Sequence, residues 1–185
     1  NEKHRFLVDA ETTKDQINLT KPDDTVLDFG CGESPKKPLA ERCFELSCFE
    51  GDPGITDRLQ AQYMDEPSIK ILESLDDAAS YSLIFVCSVS QYFSKDHFFE
   101  LIKTLKTKID PAGRLVISDV ISDRNNVFKD FLILSKFSWS NGFFVDMVIK
   151  TFKMLVGPYA RALRHSGIQK YNLEDFCHLL GESGF

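Results

Sequence analysis

Five short apolar runs, separated by segments with helical features, constrain the fold of this chain more than any other feature. Most of the runs are continuous, as expected for strands that are buried on both faces. They predict strands over Thr25–Phe29, Cys48–Gly51, Ile69–Leu72, Ser82–Cys87 and Arg114–Ser118. Strands that alternate with helices form parallel sheets covered by helices. The sequence therefore predicts an α/β fold with a doubly wound, mostly parallel sheet.

The segment between the first two predicted strands has the features of a crossover helix. Leu39, Cys43 and Leu46 recur at helical spacing. Ser34 is a candidate N-cap, and Pro35 suits the first helical position because its missing N–H group needs no partner there. We expect one apolar face of this helix to pack on the sheet.

Two further segments predict helices by the same criteria. One is expected to begin at Ser94 and to end before the sequence DPAG. Its apolar residues recur at helical spacing: Phe98, Leu101, Ile102, Leu105 and Ile109. The other lies near the C-terminus, where Asn172 is a candidate N-cap. Its apolar residues are Leu173, Phe176, Leu179 and Leu180.

Composition limits the class of protein. The 185 residues, 43% of them hydrophobic, predict one domain with a substantial core. The formal net charge of −6 disfavours a nucleic-acid partner. The five cysteines include no C-x-x-C pair, which disfavours a disulfide framework and a zinc site and favours a reducing cytoplasm. No apolar run approaches the roughly 18 residues of a transmembrane helix, and the polar N-terminus lacks a signal region.

The sequence VLDFGCGES, residues 26–34, places an acid and two glycines where the first predicted strand ends. Open α/β sheets bind ligands beyond the carboxyl ends of their strands, and glycines there let the backbone approach the ligand closely. A dinucleotide-binding G-x-G-x-x-G motif would need a glycine at position 35, which is Pro35. Asp28 would repel a pyrophosphate and suits a cationic ligand. Asp52 lies 20 residues after Gly32, where related folds place a carboxylate on the ribose hydroxyls, so we expect a nucleoside-containing ligand.

From about Thr25 onward the sequence resembles the class I S-adenosylmethionine-dependent methyltransferases. The first motif of that family appears as VLDFGCGES, with Ser34 in place of its last glycine. The acidic motif after the second strand appears as FEGDPG, the fourth-strand motif as YSLIFVCSVSQYF and the fifth-strand motif as IDPAGRLVISD. The resemblance implies a Rossmann-like methyltransferase fold with S-adenosylmethionine as the cofactor.

The resemblance also implies roles for individual residues in cofactor binding. Asp28 would lie near the methionine amino group, Gly30 and Gly32 would pass under the cofactor, and Asp52 would hold the ribose. Glu50 is the next candidate for the ribose contact.

Other parts of the cofactor site follow from the third-strand and fourth-strand motifs. The sequence ILESLDDA would supply an adenine contact from Ser74, Leu75 or Asp76, of which Leu75 is carried over. Ser88 in the fourth-strand motif would also contact the cofactor.

The chemistry of methyl transfer asks little of the protein. A sulfonium methyl group is already activated, so alignment of the nucleophile supplies much of the rate, and a base is needed only when the acceptor must lose a proton. Tyr92, just past the fourth strand, is the candidate catalytic residue, and Asp119, past the fifth, is a weaker one. No metal site is predicted.

Residues from about 125 to 165 predict a helical insertion after the fifth strand. They form two apolar stripes at helical spacing: Phe128, Phe131 and Leu132, then Phe144, Met147, Val148, Phe152 and Leu155. In the family such insertions roof the acceptor pocket, which implies a small, apolar or aromatic acceptor. Packing on the sheet or a homodimer contact is the alternative interpretation. A basic cluster suits an anionic substrate or a membrane surface: Lys150, Lys153, Arg161 and Arg164.

The family continues with two more strands after the Gly-Phe with which this sequence ends. We therefore expect residues 1–185 to form a single methyltransferase domain that is truncated at its C-terminus. The predicted function is methyl transfer from S-adenosylmethionine to a small molecule. The alternative is a non-catalytic S-adenosylmethionine-binding module with a regulatory or partner-binding role.

Overall fold

The computed structural model describes residues 12–77, 80–123 and 169–185. Within them, five strands form one parallel sheet in the order β3-β2-β1-β4-β5. The strands are β1 (Thr25–Phe29), β2 (Glu45–Phe49), β3 (Ile69–Leu72), β4 (Tyr81–Cys87) and β5 (Ile109–Ser118). The strand order reverses between β1 and β4, which makes their carboxyl ends the switch point of the sheet. The predicted doubly wound α/β architecture is confirmed, and the predicted insertion at 125–165 lies outside the described residues.

Helices cover both faces of this sheet. They are α1 (12–19), α2 (Lys37–Ala40), α3 (Pro53–Tyr63), α4 (Lys95–Lys106) and α5 (Leu173–Glu182). Short 3₁₀ helices follow β3 and β4, at Leu75–Asp77 and Ser90–Tyr92. The two faces of the sheet bury separate core clusters, one with α4 and α5 and the other with α1, α2 and α3. The central strands β1, β2 and β4 are mostly buried, which explains their continuous apolar runs in the sequence.

The predicted start of α4 is confirmed, and its predicted end is wrong. Ser94 is the N-cap, and its hydroxyl accepts a hydrogen bond from the backbone N–H of His97 at 3.3 Å. Ile109 does not extend the apolar face of the helix, since it is the first residue of β5. The Tyr81 N–H donates to the carbonyl of Lys108 at 2.8 Å, so the chain already pairs with β4 at this point.

The crossover helix predicted after β1 is largely replaced by other structure. Helix α2 has four residues, its N-cap is Lys36 and not Ser34, and the Ser34 hydroxyl instead donates to the Cys31 carbonyl. Leu46 is a fully buried residue of β2 and pairs with Val26 of β1. Apolar residues at this spacing are compatible with one long helix or with a short helix followed by a buried strand. The pairing of β2 with β1 shows that the second arrangement is present.

Helix α5 begins at the predicted cap. The side-chain oxygen of Asn172 accepts a hydrogen bond from the N–H of Glu174 at 2.9 Å. Phe176 is buried and stacks on Phe98 of α4, with ring centroids 5.8 Å apart. Leu173, which we placed on the apolar face, is 68% exposed because it occupies the first turn beyond the contact with α4.

Candidate functional site

A tight turn after β1 carries the two glycines of the first motif. Gly30 and Gly32 have φ angles of +69° and +55°, a region that other residues enter only at a cost. The N–H groups of Gly30 and Cys31 both donate to the Phe49 carbonyl, at 2.8 and 3.2 Å. A Cβ atom on Gly30 would lie 2.4 Å from Cγ2 of Val89, whereas the space beside Gly32 is open. Packing therefore demands the first glycine, and the second faces a space that a ligand can enter.

That space is a cavity of about 510 Å³ at the carboxyl ends of β1, β2 and β4. Four of the residues predicted from the sequence line it, namely Gly30, Gly32, Ser88 and Tyr92. The other lining residues are mostly apolar: Phe29, Phe49, Glu50, Gly51, Ile55, Cys87, Val89 and Phe93. This is the position at which open α/β sheets bind their ligands.

Glu50 is the acid that lines this cavity. Its carboxylate accepts hydrogen bonds from the N–H of Gly32 at 2.9 Å and from the N–H of Asp52 at 3.2 Å. Asp52 was the first candidate for the ribose contact and Glu50 the next, because Asp52 lies 20 residues after Gly32. The predicted second strand ran to Gly51, whereas β2 ends at Phe49, so Glu50 is the first residue beyond the strand. The end of the strand is the signal that favours Glu50.

Asp52 and Leu75 occupy other places. Asp52 is the N-cap of α3, and its Oδ1 accepts hydrogen bonds from the N–H groups of Gly54 at 2.8 Å and Ile55 at 3.2 Å. Leu75 is half-buried in the 3₁₀ helix after β3 and packs against the core. Neither is among the residues that line the cavity. Their contact with a cofactor stays a prediction.

Asp28 lies beneath the turn in a buried network of polar groups. The ammonium group of Lys36 donates to Asp28 Oδ2 at 3.0 Å, to Ser34 Oγ at 2.6 Å and to the carbonyl of Cys31. The side-chain amide of Gln16 donates to Asp28 Oδ1 at 3.1 Å. Burial lowers the pKa of Lys36, but the combined attraction to Asp28 and to Cys31 and Cys48 exceeds that effect and leaves the pKa above its ordinary value. The structure thus pairs Asp28 with Lys36 of the same chain, and a contact of Asp28 with the cofactor stays a prediction.

A second cavity, of about 320 Å³, lies between α1 and the ends of β4 and β5. Its lining combines side chains of α1 with side chains of the sheet: Thr12, Asp15, Gln16, Asn18, Leu19, Phe85, Cys87, Val116, Ser118 and Asp119. Cys87 lines this cavity and the larger one, so both cavities extend to the end of β4. Burial raises the pKa of the Cys87 thiol to about 11, which keeps the thiol protonated at neutral pH.

Two residues at this junction have left-handed backbone conformations. Ser88 and Asp119 both have φ of +58°, and the Ser88 hydroxyl donates to Asp119 Oδ2 at 2.6 Å. Such conformations in residues other than glycine are costly and occur where the surrounding structure requires them. The hydrogen bond fixes the side chains that follow β4 and β5 relative to each other.

The described part of the chain lacks the features of a metal site and of a membrane span. It contains no group of three or more His, Cys, Asp and Glu side chains that could hold a metal ion. No helix in residues 12–77, 80–123 or 169–185 is long and apolar enough to cross a membrane.

Comparisons with known proteins agree on the fold. No protein-family model and no curated protein sequence matches the chain. Among solved structures, YcgJ from Bacillus subtilis is similar with a TM-score of 0.63 and 12% identity, over 94% of this chain and 68% of that one. Magnesium protoporphyrin IX methyltransferase (ChlM) from Synechocystis PCC 6803, with bound S-adenosylhomocysteine, is similar with a TM-score of 0.62 and 14% identity. The match covers 98% of this chain and 73% of that one. The N-methyltransferase NodS from Bradyrhizobium japonicum, also with bound S-adenosylhomocysteine, is similar with a TM-score of 0.50 and 22% identity. The match covers 58% of this chain and 60% of that one.

The chain therefore has the fold of S-adenosylmethionine-dependent methyltransferases. The resemblance inferred from the motifs is confirmed at this level, and the four motifs lie on β1, β2, β4 and β5 or directly after them.

Proposed function

We propose that this protein is a methyltransferase that binds S-adenosylmethionine in the 510 Å³ cavity. The observation that carries the proposal is the hydrogen bond from the Gly32 N–H to the Glu50 carboxylate, 2.9 Å long. This bond connects the glycine turn to an acid, and both line one cavity at the switch point of the sheet. A glycine turn and an acid are the two features that bind a nucleoside cofactor in such folds. The bound ligands of ChlM and NodS support the same cofactor for this chain.

We propose that different residues of the lining hold different parts of the cofactor. The two backbone N–H groups orient the Glu50 carboxylate, whose remaining lone pairs are available to the ribose hydroxyls. Phe49 and Ile55 offer an apolar surface for the adenine ring. Gly30 and Gly32 let the methionine part pass close to the backbone.

Asp28 contributes through the turn and not by touching the cofactor. Its carboxylate is buried, and its oxygens already accept hydrogen bonds from Lys36 and Gln16. Lys36 also binds the carbonyl of Cys31, which lies between the two glycines. The pair therefore holds the turn in the shape that the cofactor requires.

When bound, S-adenosylmethionine supplies an activated methyl group on a sulfonium. The chain has to position the acceptor in line with the bond that breaks, since alignment supplies most of the rate in such displacements. Tyr92 lines the cavity while being 74% exposed, so its ring and hydroxyl stand at the mouth. We assign Tyr92 to contact with the acceptor as it enters.

The acceptor is proposed to be a small molecule with an apolar or aromatic body. Leu19, Phe85 and Val116 give the second cavity an apolar surface, and its volume of about 320 Å³ suits a small ligand. The name of ChlM refers to a magnesium porphyrin as the acceptor, and the name of NodS refers to methylation of nitrogen. The acceptors of proteins with this fold therefore differ, and the fold alone does not identify the acceptor of this chain. The net charge of −6 argues against nucleic acid, and the free cysteines favour the cytoplasm.

Isothermal titration calorimetry with S-adenosylmethionine and S-adenosylhomocysteine tests the proposal. We expect saturable binding of both at a single site. Well-folded protein that binds neither would contradict the proposal. Binding without methyl transfer to any member of an acceptor panel would favour the alternative, a cofactor-binding module without catalytic activity.

A further inference from the structure

We propose that the cavity beneath α1 holds the methyl acceptor, that this acceptor is a primary amine on a small apolar or aromatic body, and that Asp119 accepts the proton that its ammonium group releases. The inference rests on the proposed function, because it needs the cofactor in the neighbouring cavity. It adds the chemical class of the acceptor and the residue that prepares the nucleophile.

The first argument is position. Cys87, the last residue of β4, lines both cavities, so the space beneath α1 and the proposed cofactor site both extend to the end of β4. Gln16 lines the smaller cavity and donates to Asp28 under the glycine turn at 3.1 Å. An acceptor in this cavity would therefore lie beside the methionine part of the cofactor, where the transferable methyl group is.

The second argument is charge. The floor of the cavity is apolar, with Phe85 and Val116 from the sheet, while two carboxylates, Asp15 and Asp119, stand among its polar residues. Among the described residues that line it there is no lysine or arginine. The two carboxylates repel an anionic acceptor and attract an ammonium group. The lining thus suits an apolar body that ends in a cation.

The third argument is the placement of Asp119. It follows β5 and lines the smaller cavity, and its Oδ2 accepts a hydrogen bond from Ser88, which lines the cofactor cavity. Ser88 fixes the direction of the carboxylate and leaves Oδ1 available to the acceptor. Asp119 thereby lies at the boundary that the methyl group must cross.

The proposed step balances as follows. The bound ammonium R–NH₃⁺ transfers one proton to Asp119, which leaves a lone pair on a neutral amine. The nitrogen attacks the methyl carbon, an N–C bond forms, and the S–C bond breaks with its electron pair going to sulfur. The products are S-adenosylhomocysteine and R–NH₂–CH₃⁺, and Asp119 passes its proton to water. General base catalysis of this kind contributes about 10²- to 10⁴-fold in rate.

A matched pair of probes tests the acceptor class. Calorimetry on protein saturated with S-adenosylhomocysteine compares 2-phenylethylamine with 2-phenylethanol, which share the aromatic body and differ in the cationic group. We expect the amine to bind at least tenfold more tightly. Equal affinities, or no binding of the amine, would overturn this inference while the affinity for S-adenosylhomocysteine keeps the proposed function intact. Loss of S-adenosylhomocysteine binding would instead contradict the proposed function.

A second comparison tests Asp119. In the Asp119→Asn variant we expect the preference for the amine to fall at least tenfold, the affinity for 2-phenylethanol to stay within twofold, and the affinity for S-adenosylhomocysteine to stay within twofold. Asp123→Asn removes an exposed carboxylate from the same connection outside the cavity lining and should change none of the three. An unchanged preference in Asp119→Asn, or an equal loss in the two variants, would overturn the assignment.

Discussion

Lys36 and Asp28 form an ion pair beneath the glycine turn, with Nζ 3.0 Å from Oδ2 and side chains that are only 2% and 4% exposed. Removing either partner would leave the other charge buried, which costs more than the pair itself contributes. The two residues belong to the end of β1 and the N-cap of α2. The pair therefore ties the strand to the helix across the turn that we assign to cofactor binding.

We predict that Lys36→Met lowers the free energy of unfolding by about 3–5 kcal/mol, because Asp28 loses its buried counter-charge. Urea unfolding followed by circular dichroism measures the change. Lys37→Met is the matched control: Lys37 is exposed and pairs with Glu66 on the surface, so its loss should change the free energy of unfolding far less than the loss of Lys36 does. Equal effects of the two substitutions would contradict the role of the buried pair.

The pH dependence of this pair has a definite sign. The folded pKa of Lys36 lies above the ordinary value of 10.5 because of Asp28, so the pair contributes fully below the unfolded pKa. Its contribution is lost as pH rises through the folded pKa. The stability difference between the wild type and Lys36→Met should thus stay level through neutral pH and shrink only in strong alkali.

The two glycines of the turn should respond differently to alanine. Both substitutions place a side chain at positive φ, which costs about 1–2 kcal/mol. Gly30→Ala adds a clash with Val89 at 2.4 Å and should cost about 1–3 kcal/mol more. Thermal unfolding measures this order, and a Gly32→Ala variant that is the less stable of the two would contradict it.

Gly32→Ala should show its effect in binding. The space beside Gly32 contains no protein atom within 4 Å, and we assign that space to the cofactor. The added methyl group should weaken S-adenosylhomocysteine binding at least tenfold in calorimetry. An affinity within twofold of the wild type would place the ligand elsewhere.

Cysteine reactivity provides a footprint of the cofactor. Exposed Cys177 should react with N-ethylmaleimide first at pH 7.5, because burial raises the pKa of Cys87 and of Cys43 to about 11 and keeps both as thiols. Their labelling rates should rise with pH up to that range. Peptide mass spectrometry should also show that S-adenosylhomocysteine protects Cys87, which lines the cavity, and not Cys43. Equal protection of the two would argue against the assigned cavity.

The approximate positions of the strands and the glycine turn were predictable because their signals are local. The apolar runs mark strands that are buried on both faces, and glycines mark the turn after β1. The start of α4 was predictable for the same reason, since a serine cap acts on the helix that directly follows it.

Glu50 and Lys36 show where the sequence fails. Glu50 and Asp52 are two residues apart, and only the true end of β2 at Phe49 decides which acid faces the cavity. Lys36 gives no local signal, because lysine is normally exposed and its burial depends on Asp28 eight positions earlier. Both cases depend on contacts between elements, which residue spacing alone does not contain.

The affinity of the Glu50→Gln variant for S-adenosylhomocysteine tests the central claim most directly. The substitution keeps the shape of the side chain and removes the charge that we assign to the ribose hydroxyls. Calorimetry should show a dissociation constant at least tenfold higher, a loss of about 1.4 kcal/mol, with Asp52→Asn as the matched control within threefold of the wild type. An unchanged constant in Glu50→Gln, together with weakened binding in Asp52→Asn, would contradict the account and place the ribose on the cap of α3.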